Sequence, residues 1–345
     1  MADPVRVAIL STPRSGNTWL RWLLAAAYRV PDLAVHKMWD SDWAGLPREC
    51  VLQLHWNRTP KMRDRLAEHG FRAVTVARHP LDTLVSIVPF ALTDGDTHRW
   101  LEGTGGDESG LFGASPRSRA FVRYATGPRA AALFSVTADW WGEPDVTAVR
   151  YEDLVADPAG ELAKVCGRLA PPREPDLAAV AAGHTLDRLR PRAGNGHFWQ
   201  GRPGHWRELI PAPEAAEIAA AIPDAFARYG YACDPDPALT ADAADENWVR
   251  AAGPAFRAAM QRSLDAQAAA EAHRKAAAAA RQQAKDADDR AARATAEAAR
   301  LRAKVAELEA RFAPFAGLRG FEVRVARWLA AVRGGVRVFP SRERK

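Results

Sequence analysis

A loop near the start of the chain is the first feature of this sequence that could do chemistry. It spans Ser11 to Thr18 and carries several hydroxyl residues, Gly16 and Arg14. An apolar, β-branched run, Val5 to Leu10, precedes it, and leucines recur at helical spacing from Trp19 to Ala27. A loop between a strand and a helix collects free backbone N–H groups at the positive end of the helix dipole, and Arg14 adds a full charge. The residue types and their order therefore predict an anion-binding site.

This loop differs from the common nucleotide-triphosphate loop. That loop reads G-x-x-x-x-G-K-[ST], and the present sequence has neither the first glycine nor the lysine. Taken alone, the stretch fits an ordinary capped turn between a strand and a helix as well as it fits a ligand site. The rest of the chain has to decide between the two interpretations.

A second candidate phosphate site follows a predicted buried strand, Phe71 to Ala77. Arg78 comes directly after the strand, Pro80 is suited to open a helix, and Ser86 lies about two turns along that helix. A guanidinium and a hydroxyl placed in this way can hold one phosphate together. The alternative is a solvated helix start, but two phosphate elements in succession favour the functional interpretation.

A candidate base, His55, ends another predicted strand, Cys50 to Trp56. Histidine can accept a proton near neutral pH, and a strand end is where an α/β sheet presents its reactive groups. A lone histidine is more often structural than catalytic. Its place at a strand end, after the anion loop, favours catalysis.

The two phosphate elements carry a resemblance to a known family. The string P-R-S-G-N-T-W, from Pro13 to Trp19, resembles the 5′-phosphosulfate loop P-K-S-G-T-T-W of the PAPS-dependent sulfotransferases, where PAPS is 3′-phosphoadenosine-5′-phosphosulfate. The string from Arg78 to Ser86 resembles the family's 3′-phosphate element R-x-P-x-D-x-x-x-S at all four fixed positions. Looser similarities include Q-L-H, Y-E-D-L and a glycine-containing loop, so that the resemblance covers residues 5 to 232.

The resemblance implies a role for each matching residue. His55 would be the catalytic base, and Arg14 would neutralise the charge of the departing phosphate. Trp19 and Tyr151 would contact the adenine, while Arg78 and Ser86 would hold the 3′-phosphate. The 5′-phosphate would be bound by the loop residues Arg14, Ser15, Gly16, Asn17 and Thr18. The family needs no metal, and we expect none here.

One loop departs from the family pattern. The stretch F-W-Q-G-R-P-G-H-W-R, from position 198 to 207, resembles F-R-K-G-x-x-G-D-W-K and aligns Gly201 and Gly204 with the family's glycines. Trp199 and Gln200 stand where the family has the basic pair that clamps the 3′-phosphate. Arg202 is predicted to bind the cofactor in their place. Arg207 is the alternative source of the positive charge that the basic pair supplies in the family.

Strands that alternate with helices predict an α/β fold with a parallel β-sheet and helices on both faces, and the resemblance implies that the fold is of the P-loop-like sulfotransferase type. We assign this domain to residues 1–233. The stretch 93–116, rich in Gly, Asp, Ser and Thr, is predicted to be a flexible lid or disordered.

The C-terminal third has a different composition. Residues 234–247 are predicted to form a linker, and 248–312 a long helix rich in alanine and charged residues. An unbroken 3–4 spacing of small and apolar residues from Ala277 to Phe312 predicts a coiled coil and hence a homo-oligomer. The tail, 313–345, is basic and amphipathic, and is predicted either to lie on an anionic membrane surface or to dock on the partner subunit.

The composition of the chain bears on the kind of ligand that it binds and on its cellular compartment. The formal net charge is +6 in 345 residues, and acids and bases are both plentiful, which suits anionic ligands; no nucleic-acid motif is present. Three cysteines without metal or redox spacing indicate a reducing compartment. The strand that follows Met1 so closely leaves no room for a signal peptide, so we expect a cytoplasmic protein.

The resemblance thus implies transfer of a sulfuryl group from PAPS to a hydroxyl or amine. The acceptor is left open between a glycan, a lipid-linked saccharide and a small metabolite. Two alternatives remain at this stage. One is a non-catalytic coiled-coil scaffold with a degenerate domain, suggested by Trp199, Gln200 and Gln53. The other is an atypical nucleotide-dependent phosphotransferase, in which Arg78 and Ser86 would have no role.

Overall fold

The computed structural model describes residues 4–35, 42–93, 95–193, 198–313 and 324. Contacts divide the chain into two compact units, Met1–Gln267 and Ala268–Lys345. The strands are β1 Arg6–Leu10, β2 Asp32–Ala34, β3 Cys50–Leu54, β4 Arg72–Ala77 and β5 Val146–Arg150. The helices are α1 Asn17–Tyr28, α2 Pro60–Glu68, α3 Pro80–Thr93, α4 Arg119–Ala125, α5 Pro128–Trp140, α6 Tyr151–Ala156, α7 Pro158–Leu169, α8 Leu177–Gly183, α9 Leu186–Ala193, α10 Ala212–Ala221, α11 Pro223–Ala227 and α12 Ala241–Phe312.

The five strands form one parallel sheet in the order β2-β3-β1-β4-β5. β1 lies at its centre, paired with β3 and β4, and its residues are almost all buried. A strand covered on both faces needs apolar residues at every position, which explains why β1 and β4 read as continuous apolar runs. The predicted parallel sheet is confirmed.

Helices cover both faces of the sheet. On β1, Val7 and Ile9 point into a cluster with residues of α1 and α7. The intervening residues, Ala8 and Leu10, point into a second cluster with residues of α2 and α5. This alternation follows from the period of two along a strand. A third cluster, beside the sheet, joins α3, α4, α5, α10 and α11 around Trp206.

The first part of α12 packs against this third cluster. The helix begins at Ala241, inside the segment whose prolines predict a linker, because Ala244, Trp248 and Ala252 bury one face at helical spacing. The Thr240 hydroxyl accepts a hydrogen bond from the Ala243 amide and caps the helix. A non-helical Gly253, with φ of 69°, interrupts it.

Two other elements differ from the sequence prediction. The pattern from Pro213 to Tyr229 predicts one helix, but the structure has α10 and α11, since Pro223 has no N–H to continue the first of them. The short edge strand β2 was not predicted. The predicted tail, 313–345, lies outside the described residues except for 313 and 324.

In the described part of the chain, no helix combines the length and the apolar character that crossing a bilayer requires.

Candidate active site

The predicted anion loop connects β1 to the start of α1. Gly16 precedes the helix with φ of 107° and leaves its first N–H groups without a side-chain cap. Arg14 is also left-handed, with φ of 68°. A Cβ on Gly16 would lie 2.5 Å from Cδ2 of Tyr151, so only glycine fits there without a shift. The loop therefore presents backbone donors at the positive end of a twelve-residue helix.

Side chains of the loop hold its shape. The Ser15 hydroxyl lies 2.8 Å from the Thr12 carbonyl and 2.5 Å from Oδ1 of Asn17. The Asn17 amide donates to the same carbonyl at 3.1 Å. Ser15 is buried and does not line the cavity beside the loop. Its side chain closes the turn, whereas Asn17 also reaches the cavity wall.

A single cavity collects most of the predicted site residues. They come from the carboxyl ends of β1, β3, β4 and β5, where parallel strands present their loops at one edge. The predicted residues that line this cavity are Arg14, Gly16, Asn17, Thr18, Trp19, His55, Arg78, Ser86, Tyr151 and Gly201. The predicted residues that do not line it are Ser15, Arg202 and Gly204.

Three arginines line the cavity; Arg21 is paired with Asp32 at 2.9 Å, and Arg14 and Arg78 make the cavity positive. Arg14 donates from Nε to the Ser86 hydroxyl at 3.3 Å. Arg78 is 7% exposed and donates from Nη1 to the Arg14 carbonyl at 3.4 Å. Its Nε is buried and has no hydrogen-bond partner among the described residues. None of the described residues that line the cavity is an aspartate or glutamate. Two neighbouring guanidinium groups, one of which has a donor without a partner, are suited to receive an anion.

Aromatic rings form the next part of the wall. The Trp19 and Tyr151 rings lie 6.0 Å apart at 70°. Each ring is fixed by a backbone carbonyl: Trp19 Nε1 donates to His184 at 2.7 Å, and the Tyr151 hydroxyl donates to Gly201 at 2.6 Å. Burial raises the pKa of the Tyr151 phenol, which keeps this donor protonated. The Arg78 guanidinium packs over the Tyr151 ring at 4.6 Å. Fixed rings beside a cationic centre suit a flat ligand that carries negative charge.

His55 lies in the same cavity, and its hydrogen-bond partners indicate which ring nitrogen carries the proton in the neutral form. Its Nδ1 is 2.7 Å from the Ser11 carbonyl, which can only accept, so the proton is assigned to Nδ1. Nε2 is then the acceptor nitrogen, and Gln53 Nε2 lies 3.4 Å from it. The Gln53 carbonyl oxygen in turn lies 3.4 Å from the Thr18 hydroxyl. This arrangement gives His55 the tautomer that a general base needs.

Two aromatic residues of the site were not predicted. Phe90 and Trp100 stack at 5.5 Å with an angle of 8°, and the Trp100 ring lies 6.2 Å from that of His55. Phe90 lies one turn after Ser86 on α3, so helical spacing could have indicated it. Trp100 lies in the stretch predicted as a lid, where no periodic pattern points to it.

A buried ion pair anchors that stretch. Arg129 is 3% exposed, and its Nε donates to Glu108 at 2.7 Å; Glu108 is fully buried. The remaining guanidinium nitrogens donate to the carbonyls of Trp100, Thr104 and Thr97 at 2.9, 3.0 and 3.1 Å. The prediction of a flexible or disordered lid is therefore wrong for residues 95–111, which one side chain from α5 holds in place.

The loop 198–207, which lacks the family's basic pair, is held by other contacts. Arg202 donates to Glu208 at 2.5 Å, and Arg207 donates to the Asp234 carboxylate and, at 3.1 Å, to the Asp234 carbonyl. Neither arginine lines the cavity. Gly204 donates its N–H to Asp82 at 2.6 Å, which ties the loop to α3.

The residues at the positions of the family's basic pair, Trp199 and Gln200, make different contacts here. Trp199 lines the cavity, while the Gln200 amide donates to the Ala251 carbonyl at 3.1 Å. Because Arg202 and Arg207 are engaged with carboxylates, the positive charge at this wall comes from Arg14 and Arg78.

The chain is similar in structure to sulfotransferases over about two-thirds of its length. Mouse sulfotransferase SULT7A1, complexed with PAP, aligns with 67% of this chain and 90% of its own, at 15% identity and a TM-score of 0.49. Retinol dehydratase, in complex with androsterone and inactive cofactor PAP, aligns with 65% and 82%, at 15% identity and a TM-score of 0.44. The sulfotransferase domain from the curacin biosynthetic pathway aligns with 66% and 98%, at 16% identity and a TM-score of 0.37. No protein-family model and no curated protein matches the sequence.

Proposed function

We propose that this chain is a PAPS-dependent sulfotransferase. The observation that supports it most is the buried, unpartnered Nε of Arg78 in a cavity that also holds Arg14 and the N-terminus of α1. That set of donors fits a ligand with more than one anionic group. The Trp19 and Tyr151 rings add a wall for a flat base, and His55 lines the same cavity.

The proposed reaction uses each group once. The acceptor oxygen or nitrogen forms a bond to sulfur while the bond from sulfur to the bridging phosphate oxygen breaks. The acceptor proton goes to Nε2 of His55, and the 5′-phosphate leaves as part of PAP, the 3′,5′-bisphosphate. Arg14 and the backbone N–H groups of the loop stabilise the charge that builds on the leaving phosphate. Arg78 and Ser86 hold the 3′-phosphate.

The acceptor side is supported by the stacked Phe90 and Trp100 next to His55. An aromatic wall binds a flat apolar face, which both saccharide rings and aromatic metabolites present. We propose an acceptor of this kind, with its hydroxyl or amine directed at His55. Glycan, lipid-linked saccharide and small-metabolite acceptors all remain for screening.

Calorimetric titration of PAP and of ATP, without magnesium, tests the donor site. We expect tight PAP binding, much weaker ATP binding, and a loss of roughly tenfold to a hundredfold in PAP affinity for Arg78→Ala, as charged hydrogen bonds predict. His55→Ala is expected to bind PAP like the unaltered chain, because its role is in proton transfer.

Arg202→Ala is the matched control, because that arginine is paired with Glu208 and does not line the cavity. It should leave PAP affinity unchanged. Absence of PAP binding to the unaltered chain would overturn the proposed function and favour a scaffold role. Equal binding of ATP would favour a phosphotransferase.

We further propose a cytoplasmic location. All three cysteines, Cys50, Cys166 and Cys233, are free thiols, which suits a reducing compartment. Cell fractionation with an antibody against the chain tests this, and recovery with secreted or lumenal proteins would contradict it.

A further inference from the structure

One face of α12 in the second unit carries a continuous stripe that we call the seam. Its members are spaced alternately by three and four residues and share small or apolar side chains. They are Ala277, Ala280, Ala284, Ala287, Ala291, Ala294, Ala298, Leu301, Val305, Leu308 and Phe312. The alanines are exposed, and Leu301 is 51% exposed. Apolar residues kept on one face of a long helix over five heptads indicate a helical partner.

The identities of the large seam residues select the number of strands. In a heptad written abcdefg, Val305 occupies an a position, whereas Leu301 and Leu308 occupy d positions. A β-branched residue at a with leucine at d favours two parallel strands, because each side chain then packs in its preferred geometry. The alanines before Leu301 allow two helices to approach closely along the rest of the seam.

The charges beside the seam fit a second copy of the same chain in parallel. In a parallel, in-register pair, each g residue faces the e residue five positions later on the partner. This places Glu297 opposite the partner's Arg302, and Lys304 opposite the partner's Glu309. Two-fold symmetry repeats both attractive contacts, so four opposite-charge pairs flank the large residues of the seam.

The same charges oppose an antiparallel pair. If Leu301 packs opposite Val305 of a reversed partner, the two-fold axis falls near residue 303. Arg302 then meets the partner's Arg302, and Lys304 meets the partner's Lys304. Exposed ion pairs add little affinity, but like charges placed together select against an arrangement. The like charges at 302 and 304 therefore disfavour this antiparallel register relative to the parallel pair.

We propose that the seam binds a second copy of this chain as a parallel, in-register, two-stranded coiled coil. The partner's seam covers Leu301, Val305 and Leu308 in each copy. The inference does not depend on the proposed sulfotransferase activity, since it uses residues 277–312 alone.

Cysteine cross-linking of the full chain tests direction and register together. In the proposed pair, Ala298 is an a residue and faces Ala298 of the partner, so Ala298→Cys should form a disulfide-linked dimer under mild oxidation. Ala296→Cys is the matched control: it replaces an exposed alanine of the same turn, but at an f position on the opposite face. That variant and the unaltered chain, with its three native cysteines, should remain unlinked.

Sedimentation of the same proteins measures their oligomeric state. A dimer in which Ala298→Cys links and Ala296→Cys does not supports the proposal. A monomer, a trimer, or a dimer in which Ala298→Cys fails to link overturns it, the last because it indicates an antiparallel or shifted pair.

A charge exchange gives an independent readout. Glu297→Lys places a positive charge opposite the partner's Arg302 and should weaken the dimer about tenfold, since two such pairs change per dimer. Adding Arg302→Glu to that variant should restore the affinity. Unchanged affinity in the single variant, or no recovery in the double variant, would count against the parallel register.

Discussion

At the scale of single residues, the anion loop depends on a position that tolerates no side chain. Gly16 combines a positive φ with close approach to Tyr151, and either feature alone would favour glycine. The contact matters for ligand binding because the Tyr151 ring packs under the Arg78 guanidinium. A change at Gly16 therefore acts on the donor site through a neighbouring side chain.

Gly16→Ala should reduce PAP affinity by at least about tenfold, because the new methyl group displaces the Tyr151 ring or the loop. Gly142→Ala is the matched control, since Gly142 also has a positive φ, 82°, but a Cβ there would meet nothing within 4 Å. Both variants should lose about 1 kcal/mol or more of unfolding free energy from backbone strain. Calorimetry and urea unfolding measure the two effects, and equal PAP affinities in the two variants would contradict the argument.

At the scale of elements, the segment 95–111 shows how one side chain can order a stretch with no regular pattern. Arg129 satisfies three carbonyls and Glu108 at once, so each buried donor has a partner. Since Trp100 belongs to this segment, the anchor also fixes the aromatic wall next to His55. The acceptor side of the cavity is thus held from α5, outside the segment itself.

Removing both partners of this ion pair should cost less than the sum of the two single removals. We expect Glu108→Leu and Arg129→Met each to lower the unfolding free energy by about 3–5 kcal/mol, because the remaining group is buried without its partner. The double variant, Glu108→Leu with Arg129→Met, should lose less than the sum of the two. Urea unfolding of all four proteins measures this coupling. Single losses below about 1 kcal/mol would mean that the pair does not anchor the segment.

Features that depend on local contacts could be predicted from the sequence, whereas features that depend on contacts between distant residues could not. The apolar pattern from Val146 to Arg150 is local and predicts a strand at the bounds that the structure has. In contrast, nothing in the sequence near Arg129 reveals that its partners lie more than twenty residues away. Likewise, the loop sequence alone could not show that Arg202 pairs with Glu208 and turns away from the cavity.

Within the site, too, some features follow from the local sequence and others from contacts between distant residues. Arg14, His55, Arg78 and Tyr151 each follow a strand, and this order in the sequence predicts one shared cavity edge. The tautomer of His55 required the position of the Ser11 carbonyl, which only the paired strands define. Site membership was therefore largely predictable, whereas the hydrogen bonds that tune each group were not. Their assigned roles stay predictions until the binding and transfer measurements are made.

At the scale of the whole molecule, each of the three hydrophobic clusters of the first unit contains one cysteine. Cys166 lies in the cluster with α1, Cys50 in the cluster on the opposite face of the sheet, and Cys233 packs half-buried against the third. Burial raises the pKa of all three thiols, so each reacts slowly in the native state. Modification of the buried Cys50 and Cys166 therefore requires the surrounding cluster to open, whereas Cys233 is partly accessible.

The reaction rates of these thiols report separately on the opening of the three clusters. Single-cysteine variants, with the other two replaced by alanine, should react with a thiol reagent in the order Cys233 first, then Cys50 and Cys166 at least roughly a hundredfold more slowly. PAP should retard Cys166 most, because Trp19 and Tyr151 belong to its cluster. Equal rates for all three would mean that the unit opens only as a whole. Distinct rates would give each layer of the sheet its own free energy of opening, read in the folded protein without denaturant.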